Sequence, residues 1–316
     1  MRPVSAWGRL SADLHQVEPL DPRFIQETLR TAGSLALPHG MGRSYGDVCL
    51  NPGGVLWLTS GLDRFRAFDE KSGRLWVEAG VLLKDIQQLF LPRGWMLPVT
   101  PGTQMVTVGG AIANDVHGKN HHLQGSFGDH VREISLARTN GEVLRLSPDE
   151  NAETFRATLG GLGLTGLIVA AEIQLKPVAG PWLHSETLPF RGLESFFRFS
   201  DESETTWEHT VSWIDCLSGT KPRGLFMRAS SAASGATGQM PNDRKRKIPL
   251  VPPISLVNAL TLRPFNEAYF RLGEWKKRQS IVHYVPFFYP LDHLLEWNRM
   301  YGPKGFYQYQ CVVPRE

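Results

Sequence analysis

Glycine is gathered into three short runs, and a backbone that must thread all three has few folds open to it. The first run is Gly40-Met41-Gly42-Arg43-Ser44-Tyr45-Gly46-Asp47. The second is Gly102, then Thr107-Val108-Gly109-Gly110-Ala111-Ile112-Ala113-Asn114-Asp115-Val116-His117. The third is Gly160-Gly161-Leu162-Gly163-Leu164-Thr165-Gly166. Of 316 residues 31 are glycine, and clustering of this kind means tight turns or backbone brought against a ligand.

The segments between the runs mix helix and strand with short connections. Asp21 and Pro22 open a helix through Phe24, Ile25, Thr28 and Leu29, which Gly33 ends. Residues 34–38, 55–59 and 75–78 read as strands. Leu82, Leu83, Ile86, Leu89 and Phe90 share one face of a helix over residues 82–91. Residues 108–116 read as a buried turn entering a short helix. Strands 134–137 and 143–146 flank Thr139-Asn140-Gly141, a hairpin signal. A helix over residues 152–159 and an apolar strand over 164–175 follow. After Pro177 tryptophan and phenylalanine become frequent, and residues 207–216, 224–229, 284–289 and 306–313 read as strands. This change of texture places a domain boundary near Val178, within an α+β fold of two domains, residues 1–178 and 179–316.

Bulk properties exclude several classes. Hydrophobic residues make up 41% and charged residues 21%, enough apolar material for a core. The net charge of +3 does not argue for nucleic acid. Cys49, Cys216 and Cys311 are odd in number and far apart, so neither a disulfide framework nor a metal site is expected, and a reducing compartment follows. Residues 1–12 lack the apolar core of a secretory leader, and no run of about 18 apolar residues occurs, so no membrane-spanning helix is expected. Glu316 follows directly on an apolar alternating segment, which reads as a domain incomplete at its C-terminal end.

The three runs carry the chemistry. Consecutive N–H groups in residues 40–47 can converge on an anion, with Arg43 and Ser44 adding charge and a donor; an ordinary glycine loop is the alternative. In the second run glycine and alanine give a flat wall against which a planar ring or a diphosphate can lie. His117, Lys119, His121 and His122 follow at once, without a carboxylate or cysteine at a metal-site interval, so no metal is expected. These histidines either orient a cofactor or, for His121 and His122, sit in a surface loop. The third run contains a formal G-x-G-x-x-G, but a helix precedes it and a strand follows. A nicotinamide-dinucleotide site needs the reverse order, so that reading is rejected.

Taken together and in this order, these segments resemble the vanillyl-alcohol-oxidase type of FAD-binding (PCMH-type) oxidoreductases. Phe288-Tyr289-Pro290-Leu291-Asp292, Glu296-Trp297-Asn298-Arg299 and Gln308-Tyr309-Gln310 extend the likeness over nearly the whole chain, and His117-Gly118-Lys119-Asn120-His121-His122 is its most specific part. The resemblance implies a two-subdomain FAD domain, then an α+β substrate (cap) domain. It implies FAD contacts from Gly40, Met41, Gly42, Arg43, Ser44, Tyr45, Gly46, Asp47, Gly102, Thr107, Val108, Gly109, Gly110, Asn114, Asp115, Val116, His117 and Ile168. Arg43 stands where many members attach FAD to a histidine, so non-covalent FAD is implied. Trp213, Tyr289, Leu291, Gln308 and Gln310 fall where the substrate pocket would lie. His117 matches the active-site histidine, with Tyr45 and Tyr289 as groups that gate or orient the sugar; packing is the alternative for each tyrosine. Members continue past this chain's end, where an active-site lysine lies.

The narrower likeness is to members that oxidise the ribose 2-hydroxyl of a polyprenylphosphoryl sugar as one half of an epimerisation. That implies a lipid-linked substrate, a separate ketoreductase partner and a cytoplasmic or peripheral inner-membrane location. Two other readings stand beside it: a sugar-lactone or alditol oxidase, and a non-catalytic FAD- or lipid-binding chain. Gln308 and Gln310 alternate with Tyr309, so on a strand they share one face, suited to hydroxyl recognition or simply a polar sheet face. Arg244-Lys245-Arg246-Lys247, with Leu250, Val251, Leu256, Val257 and Leu260 following, reads either as a docking segment for anionic lipid or as a solvated loop.

Overall fold

The computed structural model describes residues 1–33, 35–242, 244–276 and 278–311. Three sheets organise these residues. The first contains β1 (Arg2–Val4), β2 (Asp13–Pro19), β3 (Ala36–His39) and β4 (Val55–Leu58) in the order β1-β2-β4-β3. Helix α1 (Ile25–Thr31) connects β2 to β3, and β2, β4 and β3 run parallel.

The second sheet is antiparallel, built from β5 (Phe65–Asp69), β6 (Arg74–Glu78), β8 (Val131–Ala137), β9 (Val143–Leu146) and β10 (Leu167–Gln174) in the order β5-β6-β10-β8-β9. Strand β10 is central, so every side chain of Leu167-Ile168-Val169-Ala170-Ala171 is buried. The Asn140-Gly141 turn closes the β8–β9 hairpin, with Ala137 opposite Val143. Helix α3 (Val108–Ala113) packs on β6 and β10, α2 (Leu83–Phe90) packs on the short strand that follows it, and the main core joins Val55 and Trp57 to Leu75, Val77, Ile86, Ile112 and Ile173. Helix α2 buries Leu83, Ile86, Gln87 and Phe90, while Leu89 faces outward, against the expectation for that residue. Gln87 earns its interior place by accepting from the Leu97 N–H at 3.1 Å.

The short β7 (Trp95–Met96) pairs with β11 (Lys176–Pro177) and leads to the third sheet. That sheet holds β12 (Trp182–Arg191), β13 (His209–Asp215), β14 (Arg223–Ser231) and β16 (Gln279–His283) in the order β13-β14-β12-β16. Helices α6 (Leu193–Ser203) and α7 (Ala259–Trp275) pack on β12 and β14, and α5 (Ala152–Thr158) packs on β9; α4 (His121–Gln124) is a single turn after α3. The two-residue strands β15 (Arg246–Lys247) and β17 (Leu294–Leu295) pair in parallel.

Two expected strands are corrected. Residues 284–288 form a helix, α8 (Tyr284–Phe288), capped by the His283 side chain. Their continuous apolar run has no period that separates a buried strand from a buried helix. Residues 306–311 join no sheet, and residues 312 and 313 of that expected strand lie outside the described residues, as does Ser34 at the start of another. No helix among the described residues is long and apolar enough to cross a membrane.

Candidate functional site

The three glycine runs meet around one cleft of about 610 Å3, within the usual range for small-molecule sites. Its first wall is residues 40–46, the loop that follows β3. Gly42 sits there at φ +59°, a backbone position that favours glycine. Arg43 spans the base of the loop with its guanidinium 4.0 Å over the Trp7 ring, and the Trp7 N–H donates to the Ser44 carbonyl at 2.9 Å. Among the described residues, nothing accepts from the N–H groups of residues 41–46. Such a row of unpaired amides beside a half-buried guanidinium fits a diphosphate.

The second wall is α3. Thr107 caps it by accepting from the Gly110 N–H at 3.1 Å, while Val108 and Gly109 donate to the carbonyls of Val81 and Ala79. The amides of this turn are therefore spent on the fold, and the wall offers a bare surface instead. A Cβ on Gly109 would stand 3.0 Å from the Ala79 side chain, and one on Gly40 would stand 2.6 Å from Thr107 Oγ1. The first two runs thus interlock through hydrogen-sized gaps, and the flat face between them suits a ring system. The third run supplies Leu162, Gly163 and Gly166, with Ile168 beyond them. It has α5 before it and β10 after it, the order that excludes a nicotinamide site.

Asp115 builds the far end. It holds φ +40°, unusual for a non-glycine residue, and its carboxylate accepts from the Ser126 hydroxyl at 2.9 Å and the Gly128 N–H at 2.8 Å. Ser126 in turn bridges the His117 backbone, so Asp115 fixes where His117 stands. The His117 Nε2 lies 2.7 Å from the Gln310 side-chain amide. Gln308 and Gln310 reach the cleft because residues 305–306 are laid on the Gly8 loop: Phe306 N–H donates to the Gly8 carbonyl at 2.9 Å. His117, His121 and His122 follow one another edge to face with centroids 5.9 Å apart at each step. Among the described residues no group of three His, Cys, Asp or Glu side chains could hold a metal.

The cleft brings together Gly40, Met41, Gly42, Arg43, Ser44, Tyr45, Gly46, Gly102, Thr107, Gly109, Gly110, Asn114, Asp115, Val116, His117, Ile168, Gln308 and Gln310. Asp47 and Val108 stand outside its lining: Val108 is fully buried behind it, and Asp47 begins a short 3-10 helix and accepts from the Ser11 hydroxyl. Tyr45 lies in an aromatic group with Trp297 and Phe306, and burial pushes its phenol up from the ordinary value. Of the remaining substrate candidates, Trp213 packs edge-on to Tyr269 at 4.8 Å, Leu291 is half-exposed away from the cleft, and Tyr289 is buried with its hydroxyl 2.8 Å from that of Thr100. Thr59, Ala79 and Cys49 line the cleft without having been singled out. Small residues of this kind carry no signal of their own, and burial raises the pKa of the Cys49 thiol.

Lys119, two residues after His117, lies outside the cleft lining. Its ammonium donates to the Phe287 carbonyl and lies 4.8 Å over the Phe287 ring, and burial lowers its pKa to about 8. Nearby, Lys176 pairs with Glu208, whose carboxylate is 3.4 Å from the His209 ring.

A glycine-walled cleft between a parallel and an antiparallel sheet, lined by an amide nest and a flat wall, is that of an FAD-dependent oxidoreductase of α+β fold. The FAD binding domain family matches residues 16–147. The chain is 37% identical to the decaprenylphosphoryl-β-D-ribose oxidase of Mycolicibacterium smegmatis over 99% of its own length and 72% of that protein's. It therefore belongs to the family of that oxidase. The human Δ24-sterol reductase is 33% identical over 46% of this chain and 28% of the reductase. A putative D-arabinono-1,4-lactone oxidase of Neurospora crassa is 30% identical over 51% of this chain and 29% of that protein.

Proposed function

We propose that the chain oxidises the ribose 2-hydroxyl of a polyprenylphosphoryl-β-D-ribose to the 2-keto sugar. The observation that carries this reading is the pairing of His117 with Gln310, 2.7 Å apart at the cleft, in a chain 37% identical to an oxidase of that sugar. Bound FAD supplies a two-electron acceptor for the hydrogen leaving C2. Residues 40–46 hold the diphosphate through backbone amides and Arg43, and the absence of a histidine at position 43 keeps the cofactor non-covalent. The face formed by Gly109, Gly110, Gly102 and Ile168 carries the ring.

The chain's own groups manage the sugar. His117 Nε2 accepts the proton of the 2-hydroxyl, and Gln310, which meets that same nitrogen, gives way to the hydroxyl as substrate enters. Gln308 supplies a second amide for a neighbouring hydroxyl. Tyr45, held among aromatic rings with a raised pKa, stays protonated and orients the sugar as a donor. Residues 1–178 act as the flavin-holding part and residues 179–316 as the part that covers the substrate, where Gln308 and Gln310 reach the cleft. The 2-keto product calls for a reductase to complete an epimerisation, so a ketoreductase is the expected partner. The protein works in the cytoplasm or at the inner-membrane surface.

The test is anaerobic addition of a polyprenylphosphoryl ribose analogue while the oxidised-flavin absorbance band is followed. Bleaching is expected. A band that bleaches instead with free arabinono-lactone would transfer the activity to sugar-lactone oxidation, and a band untouched by either would refute sugar oxidation by this chain.

A further inference from the structure

Helix α7 turns one face to the third sheet and leaves an apolar face uncovered. Inward, Phe270 is fully buried, Asn266 donates to Asp215 at 2.7 Å, and a Cβ on Gly273 would stand 2.5 Å from Leu225. Outward stand Phe265, Tyr269, Leu272 and Trp275, at steps of four, three and three residues that share one side of a helix. They are 57, 38, 55 and 80% exposed. Two of the four support each other: the Phe265 and Tyr269 rings stack with centroids 5.9 Å apart, and Tyr269 leans on Trp213.

The turn before α7 prolongs this face. Ile254, Leu256 and Leu260 are all exposed, and the Thr261 hydroxyl holds the turn by donating to the Leu256 carbonyl at 2.5 Å. Across 17 residues the helix alone runs about 25 Å. Monomeric soluble proteins rarely leave so long an apolar strip uncovered.

Charge says what covers it. Trp275 is followed at once by Lys276, Lys277 and Arg278 in the sequence. At the other end the exposed Arg244, Lys245, Arg246 and Lys247 lead into Leu250 and Ile254. That basic run and the N-terminal end of α7 are anchored on one 3-10 helix, Trp297–Tyr301: Arg299 donates to the carbonyls of Ile248 and Pro249, and Leu256 N–H donates to the Met300 carbonyl. The carboxylates of α7 are already neutralised, Glu267 by Arg223 and Arg271, Glu274 by Arg191. An apolar strip with basic residues at both ends matches acyl chains below phosphate headgroups. Protein interfaces instead deplete charge around their apolar centres.

We propose that the outer face of α7, with residues 244–260, docks on an anionic lipid bilayer, Trp275 seated at the interface and the basic residues on the headgroup phosphates. Its use to the enzyme rests on the reading of the substrate as lipid-linked, since docking would set the cleft beside the layer that carries the sugar.

The test is co-sedimentation of the full chain with vesicles of phosphatidylglycerol and phosphatidylcholine in equal parts, and with phosphatidylcholine alone. The wild type is expected to sediment with the anionic vesicles, its tryptophan emission shifting to the blue. Phe265→Ser/Leu272→Ser/Trp275→Ser should lower the partition coefficient by at least about tenfold, and Lys245→Glu/Lys247→Glu should remove the preference for anionic vesicles. Unchanged melting temperature and flavin content would show that both variants fold. Docking is overturned by a wild type that stays in solution, by equal sedimentation of the triple variant, or by a wild-type dimer that the triple variant splits, which would give this face to a second copy. Turnover of a short-chain, water-soluble analogue reads the sugar chemistry separately. Turnover kept with vesicle binding lost supports docking, and binding kept with turnover absent sinks the substrate assignment alone.

Discussion

His117 is constrained from two directions, through its backbone bridge to Ser126, which Asp115 holds, and through its ring nitrogen beside Gln310. As the proposed base, His117 would lose that function when its ring is removed, with the cofactor walls left intact. His117→Ala is expected to slow flavin reduction by about a hundredfold to ten-thousandfold while flavin content stays constant, measured by stopped-flow absorbance. Gln310→Leu should cost less, because the base remains. The opposite ranking would remove His117 from its role. Lys119 gives a prediction of a different kind. Burial lowers its pKa to about 8, against 10.5 for an unburied lysine. Below pH 8 the ammonium is charged in folded and unfolded chains alike, and folding carries the full cost of burying it. Between about 8 and 10.5 the folded chain has released a proton that the unfolded chain keeps, so stability rises with pH, by up to about 1.4 kcal/mol per unit. Lys119→Met should flatten that rise in urea midpoints taken across the window. A wild-type midpoint that falls steadily there would show that Lys119 is not desolvated.

Elements differ in how far their sequences announce them. The β8–β9 hairpin, α2 and α5 were legible because periodicity and an Asn-Gly turn act locally, whereas residues 108–116 read as a turn entering a helix and residues 108–113 are themselves the helix α3, capped by Thr107. The order α5, glycines, β10 was legible too, and it was enough to exclude a nicotinamide site. Tyr284–Phe288 read as a strand because its apolar run is continuous, and only its packing on β16 and on Met96 makes it the helix α8. Gln308 and Gln310 line the cleft, from an irregular segment pinned to Gly8 rather than from a strand. No local pattern could have shown that contact across about three hundred residues of chain. In the same way the closeness of Gly40 to Thr107 is invisible in sequence, and it makes a prediction. Gly40→Ala places a methyl 2.6 Å from Thr107 Oγ1, displacing the hydroxyl that caps α3. Thr107→Ala alone should cost about 1 kcal/mol as a lost cap. Because it also removes the obstructing side chain, the double variant should be more stable than the sum of the two single changes allows. Additive losses in thermal melts would mean that the two glycine runs do not interlock.

At the scale of the molecule, the third sheet is tied to the first two at several points. The Tyr289 hydroxyl meets that of Thr100, the Asp292 carboxylate accepts the Gln104 N–H at 3.0 Å, and Lys119 donates to the Phe287 carbonyl. The apolar cluster of Met96, Leu183, Ala229, Tyr284, Phe288 and Tyr289 takes members from both sides, so neither side has a finished core there without the other. A unit whose core is shared unfolds with its neighbour. Denaturation followed by far-ultraviolet circular dichroism, by tryptophan emission and by flavin release should therefore give coincident curves. Tyr289→Phe leaves the buried Thr100 hydroxyl without its partner and should lower the common midpoint by the equivalent of about 1–2 kcal/mol, with the three curves still superimposed. If tryptophan emission changed at lower denaturant than flavin release, the third sheet would be opening by itself. The contacts around Tyr289 would then be a hinge over the cleft, and Tyr289→Phe would move the first transition alone.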